Sequence, residues 1–143
     1  MPKVLIADKM SEKAEKIFLE KGLDVDVITG LDKEKLISII EKYDGIVVRS
    51  STKITEKIFK KAENLKIVGR AGIGVDNIDV DAATANGVVV MNTPFGNAIT
   101  TAEHAIALTL GLMRNLPQAN NSTHKGKWEK SKYMGTEITG KTL

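Results

Sequence analysis

The sequence predicts an α/β fold built on a parallel sheet. Five short β-branched runs recur at even spacing, the segments between them read as helices, and each run is too short to stand without neighbours. The runs are Lys3–Ala7, Asp24–Ile28, Gly45–Val48, Lys66–Gly69 and Gly87–Met91. They begin about 21 residues apart, the length of one strand plus one helix. A parallel return requires a crossover, which these helices supply, so the sheet is expected to be covered on both faces. Ser11 caps a first helix running to about Lys21, with Glu12 and Glu15 in its first turn, where the helix dipole favours acids, and Ala14, Ile17 and Phe18 on one face. Asp32 caps a second helix carrying Leu36, Ile37, Ile39 and Ile40. Thr55 caps a third, carrying Ile58, Phe59 and Ala62. Asp79 opens a short fourth, Val80 to Asn86, which Gly87 stops.

Beyond the fifth run the pattern changes. From about Ile99 to Leu116 a longer helix is apolar nearly all round, through Ala102, Ala105, Ile106, Leu108, Leu110, Leu112 and Met113. Such a helix needs burial on more than one side, between two domains or in a subunit interface. Pro117 marks a break, followed by a polar, Lys-rich stretch to Lys132 that holds the single tryptophan, Trp128. The segment Gly140-Lys141-Thr142-Leu143 reads as the start of a further strand, so a longer parent is expected.

Composition narrows the function. The chain has 143 residues, 42% of them apolar, with 21 basic against 18 acidic side chains and a net charge of +3. That balance disfavours disorder, and no basic patch suggests a nucleic-acid partner. Cysteine is absent, which excludes disulfides and thiolate metal sites. The apolar stretch after Met1 is too short for a secretory signal, and the window Ala105 to Met113 is too short to span a bilayer, so a cytoplasmic chain with no membrane partner is expected.

Ligands of open parallel sheets bind beyond the carboxyl ends of strands. Those ends read Arg49-Ser50-Ser51-Thr52 after the third run, Arg70-Ala71-Gly72-Ile73-Gly74 after the fourth and Asn92 to Asn97 after the fifth. Two guanidinium groups, a flexible glycine turn and amide side chains suit a small, multiply anionic molecule. The plainer alternative is that the arginines are solvated or pair with helix carboxylates.

Other motifs are weaker. Gly72-Ile73-Gly74 has two glycines of a dinucleotide fingerprint, but Asn77 stands at the third. Gly135 to Thr142 matches a Walker A pattern by letters, without the preceding strand a phosphate cradle needs. His104 after Glu103 reads as a packed or solvated histidine before a proton-transfer pair. Asp76, Asp79 and Asp81 lack the closing acid of a calcium loop, and no metal site is expected.

These residues resemble the D-2-hydroxyacid dehydrogenases, most closely the members that oxidise 3-phosphoglycerate. The resemblance is carried by Val48 to Thr52, Val68 to Asp79, Met91 to Asn97 with Ala102-Glu103-His104, Gly126 to Glu129 and Gly135 to Leu143, nearly the length of the chain. It implies a flavodoxin-like substrate domain over residues 1–97, then an interdomain helix and the beginning of an NAD-binding Rossmann domain over 98–143. It implies NAD-dependent oxidation of 3-phosphoglycerate to 3-phosphohydroxypyruvate in L-serine biosynthesis, and the all-round apolar helix with the Trp128 arm suggests a homodimer, since a lone chain would expose them. By position, Arg49 and Arg70 hold phosphate or carboxylate with Ser50 beside them. The backbone of Gly72, Ile73 and Gly74 receives the carboxylate, with Asn97 nearby. Ile73 also touches the cofactor, as does Thr101. The pyrophosphate loop and the catalytic Arg, Glu and His of the family lie further along, so this chain is expected to be inactive alone. Alternatives are a glyoxylate or hydroxypyruvate reductase of the same family and a stand-alone anion-binding module.

Overall fold

Five strands pair in the order β2-β1-β3-β4-β5, every neighbouring pair parallel: β1 Lys3–Ile6, β2 Asp24–Val27, β3 Gly45–Val48, β4 Ile67–Arg70 and β5 Val89–Asn92. The computed structural model describes residues 1–142, which fall into two compact units, Met1–Gly96 and a second beginning at Asn97. The α/β class and the parallel sheet are as the spacing of the runs predicts, and the order is the flavodoxin-like one.

In a parallel ladder the paired residues share a face, so the register sorts the core. Leu5, Ile46 and Val68 stand in one row and are fully buried. Three helices supply their partners: Leu36 of α2 (Lys33–Ile39), Ile58 and Phe59 of α3 (Glu56–Phe59), and Ala82 and Ala83 of α4 (Val80–Ala85). Asp32 and Asp79 accept the amides of Lys35 and Ala82, as expected of caps. Thr55 takes the cap position of α3, but its side chain makes no cap bond and its Oγ1 is buried without a partner.

The opposite face is covered only in part. Helix α1 (Glu12–Glu20), capped by the Ser11 side chain, half-buries Ala14 and Phe18 and leaves Ile17 outside. Beyond it Val4, Gly45, Val47, Ile67, Gly69 and Met91 line an apolar groove of about 520 Å³. The expectation of two covered faces therefore holds over β1, where Val4 and Ile6 are buried, and fails towards the outer strands, where Val27, Val89 and Met91 are exposed.

At the amino edge, charge pins the outer strand. The Lys3 ammonium lies 3.3 Å from Asp24 and 3.0 Å from Asp26, which also accepts the Tyr43 hydroxyl at 2.7 Å. Burial first, then that bond, push the Tyr43 phenol up to about 12.

The second unit opens with α5, Ala98–Met113. The break comes at Arg114-Asn115, where Asn115 takes a left-handed φ of 52°, and α6 follows over Leu116–His124. Pro117 does not end the helical region. It sits in the first turn of α6, where a missing N–H costs nothing. Residues Gly140 to Thr142 form a turn and irregular chain; Leu143, last of the expected strand, lies outside the described residues.

Candidate functional site

The register aligns the carboxyl ends of β3, β4 and β5, pairing Val48 with Arg70 and Arg70 with Asn92. Ala7 donates to the Val47 carbonyl at 2.9 Å, which brings Asp8 to the same edge. In this strand order the crevice between β1 and β3 is the topological switch point. A polar pocket of about 400 Å³ opens there, lined by Asp8, Lys9, Thr29, Asp32, Ser51 and Thr52 among others.

Asp8 is buried, and both its oxygens are taken. Oδ2 accepts the amides of Arg49 at 2.6 Å and Thr52 at 3.1 Å, while Oδ1 accepts the Thr52 hydroxyl at 2.7 Å. Burial acts to raise the carboxyl, but the Thr52 hydroxyl and the amides of Arg49, Thr52 and Ser51 outweigh it and hold Asp8 below the ordinary carboxylate range. From the other side Asn77, also buried, donates through Nδ2 to the carbonyls of Arg49 at 2.8 Å and Thr52 at 2.6 Å. Neither residue was a sequence candidate. A lone acid directly after an apolar first strand was the one signal available for Asp8.

Arg49 and Arg70 leave this edge from neighbouring strands. Arg49 is exposed and donates through Nη1 to the Lys9 carbonyl at 3.2 Å, leaning towards the loop after β1. Arg70 is half-buried and folds back over Gly72, its guanidinium filling the space a side chain at 72 would need. The two groups thus share a rim but lean on different neighbours. Among the described residues neither forms an ion pair with a carboxylate, and Arg70 Nε is buried without an acceptor. Ser50 lies exposed between Arg49 and Ser51.

The glycine turn is tied to β5. Gly72 accepts the Thr93 amide at 2.9 Å, and Ile73 accepts the Asn92 side-chain amide at 2.7 Å. The Gly72 N–H already donates to the Arg70 carbonyl, which leaves Ile73 and Gly74 as the amides of the turn free of backbone acceptors among the described residues. Ile73 is 40% exposed. A pyrophosphate does not fit here as it fits a dinucleotide loop. Asn77 is spent on the β3 loop, and the Asp79 carboxylate occupies the start of α4, where a phosphate would have to sit.

In the second unit Asn97 opens α5 without using its side chain as a cap, and its carbonyl accepts the Thr101 amide at 2.9 Å. Thr101 is exposed, as are Glu103 and His104. Consecutive helical residues do not face each other, so Glu103 and His104 make no proton-transfer pair. The Walker-like segment follows a 3-10 turn, Lys130–Tyr133, instead of a strand. Gly135 packs against the Met113 carbonyl and the Arg114 backbone, and the Thr136 amide donates to Met113 at 2.8 Å, so the segment is a tether to the end of α5. No helix of the described residues is long and apolar enough to cross a membrane.

A parallel sheet of this order with a basic, glycine-bearing rim defines a flavodoxin-like α/β domain. Residues 4–139 match the family of D-isomer specific 2-hydroxyacid dehydrogenases, catalytic domain, and the chain belongs to that family. It is 54% identical over 140 residues, 98% of its length, to the D-3-phosphoglycerate dehydrogenase of Archaeoglobus fulgidus, and 50% identical over its full length to that of Synechocystis sp.. It spans about a quarter of those relatives, 27% and 26%. Among solved structures it is similar to the NAD+-bound 3-phosphoglycerate dehydrogenase of Entamoeba histolytica, with 39% identity and a TM-score of 0.69 over 79% of this chain and 39% of that one.

Two outcomes follow from the rim geometry. The Asp8 carboxyl is lowered from 3.8 in the folded state, so its contribution to stability is complete above that value and is lost as pH falls through the folded one. The stability gap between the wild type and Asp8→Asn should therefore be constant above about pH 4 and shrink below it, as read by circular dichroism; a gap that is flat into strong acid contradicts this. Gly72→Ala collides only with the far end of a flexible side chain, so it should cost less than about 1 kcal/mol in denaturant unfolding. It should nevertheless shift the Arg70 Nε resonance by NMR.

Proposed function

We propose that this chain is the substrate-binding portion of an NAD-dependent dehydrogenase that oxidises 3-phosphoglycerate to 3-phosphohydroxypyruvate, feeding L-serine synthesis in the cytoplasm. In this reading residues 1–97 bind substrate, and 98–143 form an interdomain helix and the start of the NAD-binding domain. The observation that carries the reading is the Arg70 guanidinium, half-buried, unpaired with any carboxylate among the described residues, and holding a buried Nε–H that lacks an acceptor. An unsatisfied buried donor is costly, and a substrate carboxylate or phosphate supplies the missing oxygen.

Arg49 and Arg70 then neutralise the anionic groups of the substrate, Ser50 adds a hydroxyl, and the free amides of Ile73 and Gly74 receive the carboxylate. Asn97 is carried over from the family resemblance as a further substrate contact. NAD would supply the hydride acceptor for this oxidation, with Ile73 and Thr101 among the residues that would hold it. The exposed Ile73 side chain gives the nicotinamide an apolar surface to rest on, and Thr101 gives the cofactor a hydroxyl. The hydroxyl proton goes to a base supplied by the catalytic segment that the family carries further along. The relatives named D-3-phosphoglycerate dehydrogenase and the NAD+-bound neighbour support this substrate and cofactor.

The enzyme is a homodimer in this reading. Helix α5 leaves Ile99, Ile106, Leu108 and Leu112 between 57% and 76% exposed, an apolar surface that a second subunit would cover.

Neutralising Arg49 tests the substrate. In the full-length enzyme Arg49→Gln should lower kcat/KM for 3-phosphoglycerate by about a hundredfold, the worth of one or two charge-assisted bonds, and act far less on D-glycerate. Equal loss on both substrates points to a reductase of unphosphorylated acids, and absence of NAD turnover to an anion-binding module. Sedimentation of the same protein should give a dimer, and a monomer at high concentration rejects the subunit interface.

A further inference from the structure

The loop that carries Arg49 and Ser50 is gripped by two side chains from elsewhere in the sheet, 41 and 28 residues away in sequence from Arg49. We propose that Asp8 and Asn77 are positioning residues for substrate binding: they clamp Arg49 and Thr52 by both backbone groups and so give the Arg49 guanidinium and the Ser50 hydroxyl one fixed origin on the rim. The proposal rests on the reading above for what the loop binds, and on hydrogen bonds alone for the clamp.

The clamp is complete at both ends. Asp8 takes the N–H of Arg49 and of Thr52, Asn77 takes the carbonyl of each, and the Thr52 hydroxyl closes on Asp8. Between the two held residues lie Ser50 and Ser51, both exposed, with the Ser51 amide also turned to Asp8. Asn77 also belongs to the segment that begins with the Gly72 turn, so one side chain joins the loop after β3 to the loop that follows Arg70. A short backbone zipper extends the join, with the Ile54 amide on the Asn77 carbonyl at 2.9 Å and the Asp79 amide on the Ile54 carbonyl at 2.9 Å.

Two features go beyond ordinary satisfaction of buried polar groups. Two carbonyl acceptors oblige Asn77 to turn its NH2 towards the loop, and its Oδ1 is left buried without a partner. The fold thus tolerates an unsatisfied oxygen to keep this grip. Asp8 is a carboxylate where a neutral acceptor would serve the amides, and its charge strengthens all three bonds to a loop otherwise open to solvent. A loop held in its binding geometry before substrate arrives loses less freedom on binding, which acts on affinity.

The test uses the full-length enzyme. Asp8→Asn keeps the volume and puts an NH2 group against donors. It should raise KM for 3-phosphoglycerate about tenfold or more, change kcat less, and leave KM for NAD alone. Thr52→Val removes a single bond and should raise KM about two- to fivefold, with Thr52→Ser restoring it. Amide exchange at Arg49 and Thr52 should quicken in Asp8→Asn while Val68 in β4 keeps its protection. A folded variant with wild-type KM overturns the proposal, as does a loss confined to the folded fraction. If Asp8→Asn does not fold, the Thr52 pair decides. If the wild type does not turn over 3-phosphoglycerate, the substrate reading fails, and the exchange result alone decides the clamp.

Discussion

A buried carboxylate at the end of the first strand has to be satisfied, and the way Asp8 is satisfied shapes the rim. With water largely excluded, its oxygens must find donors within the fold. They find them 41 and 44 residues on, in the main chain and hydroxyl of the loop after β3. The loop is thereby drawn across the switch point between β1 and β3. Asn77 meets it from beneath, and the order β1-β3-β4 becomes a single surface instead of three separate strand ends.

On that surface the charges are uneven in a useful way. Acids near the sheet are spent elsewhere: Asp24, Asp26 and Asp44 on Lys3, Tyr43 and Lys66 at the opposite edge, Asp32 and Asp79 on helix amides. At the rim Asp8 is enclosed by donors, while the exposed Asp76 sets its carboxylate beside Gly74 of the glycine turn. Among the described residues the guanidinium groups of Arg49 and Arg70 pair with no carboxylate, and the sheet holds their backbones side by side. The basic character of this rim comes from that distribution more than from net charge, which is only +3.

Much of this was legible in the sequence, for reasons that separate the parts that were from those that were not. The strands show themselves because β-branched runs at regular spacing have few other uses, and Ser11, Asp32 and Asp79 because a cap bonds its own helix. Local chemistry reads locally. Helix α6 stayed hidden because Gln118 to Thr123 is rich in poor helix formers, and Pro117 looks the same whether it ends a helix or begins one. The residues at the rim, Arg49, Arg70 and the Gly72 turn, could be named from type and strand order. Asp8 and Asn77 could not, because their partners are fixed by the folded register. The lean of each arginine was equally out of reach: it depends on the Lys9 carbonyl for one and on the bare Gly72 backbone for the other.

The absence of a side chain at residue 72 gives the charge of Arg70 its resting place. The Arg70 guanidinium lies in the volume that any larger residue at 72 would claim. A lineage that replaces the glycine must relocate the cation in the same stroke, and one that shortens the arginine leaves a gap behind. A larger residue at 72 therefore leaves the fold intact while swinging the guanidinium aside, so the size of residue 72 decides where the charge of Arg70 stands on this rim.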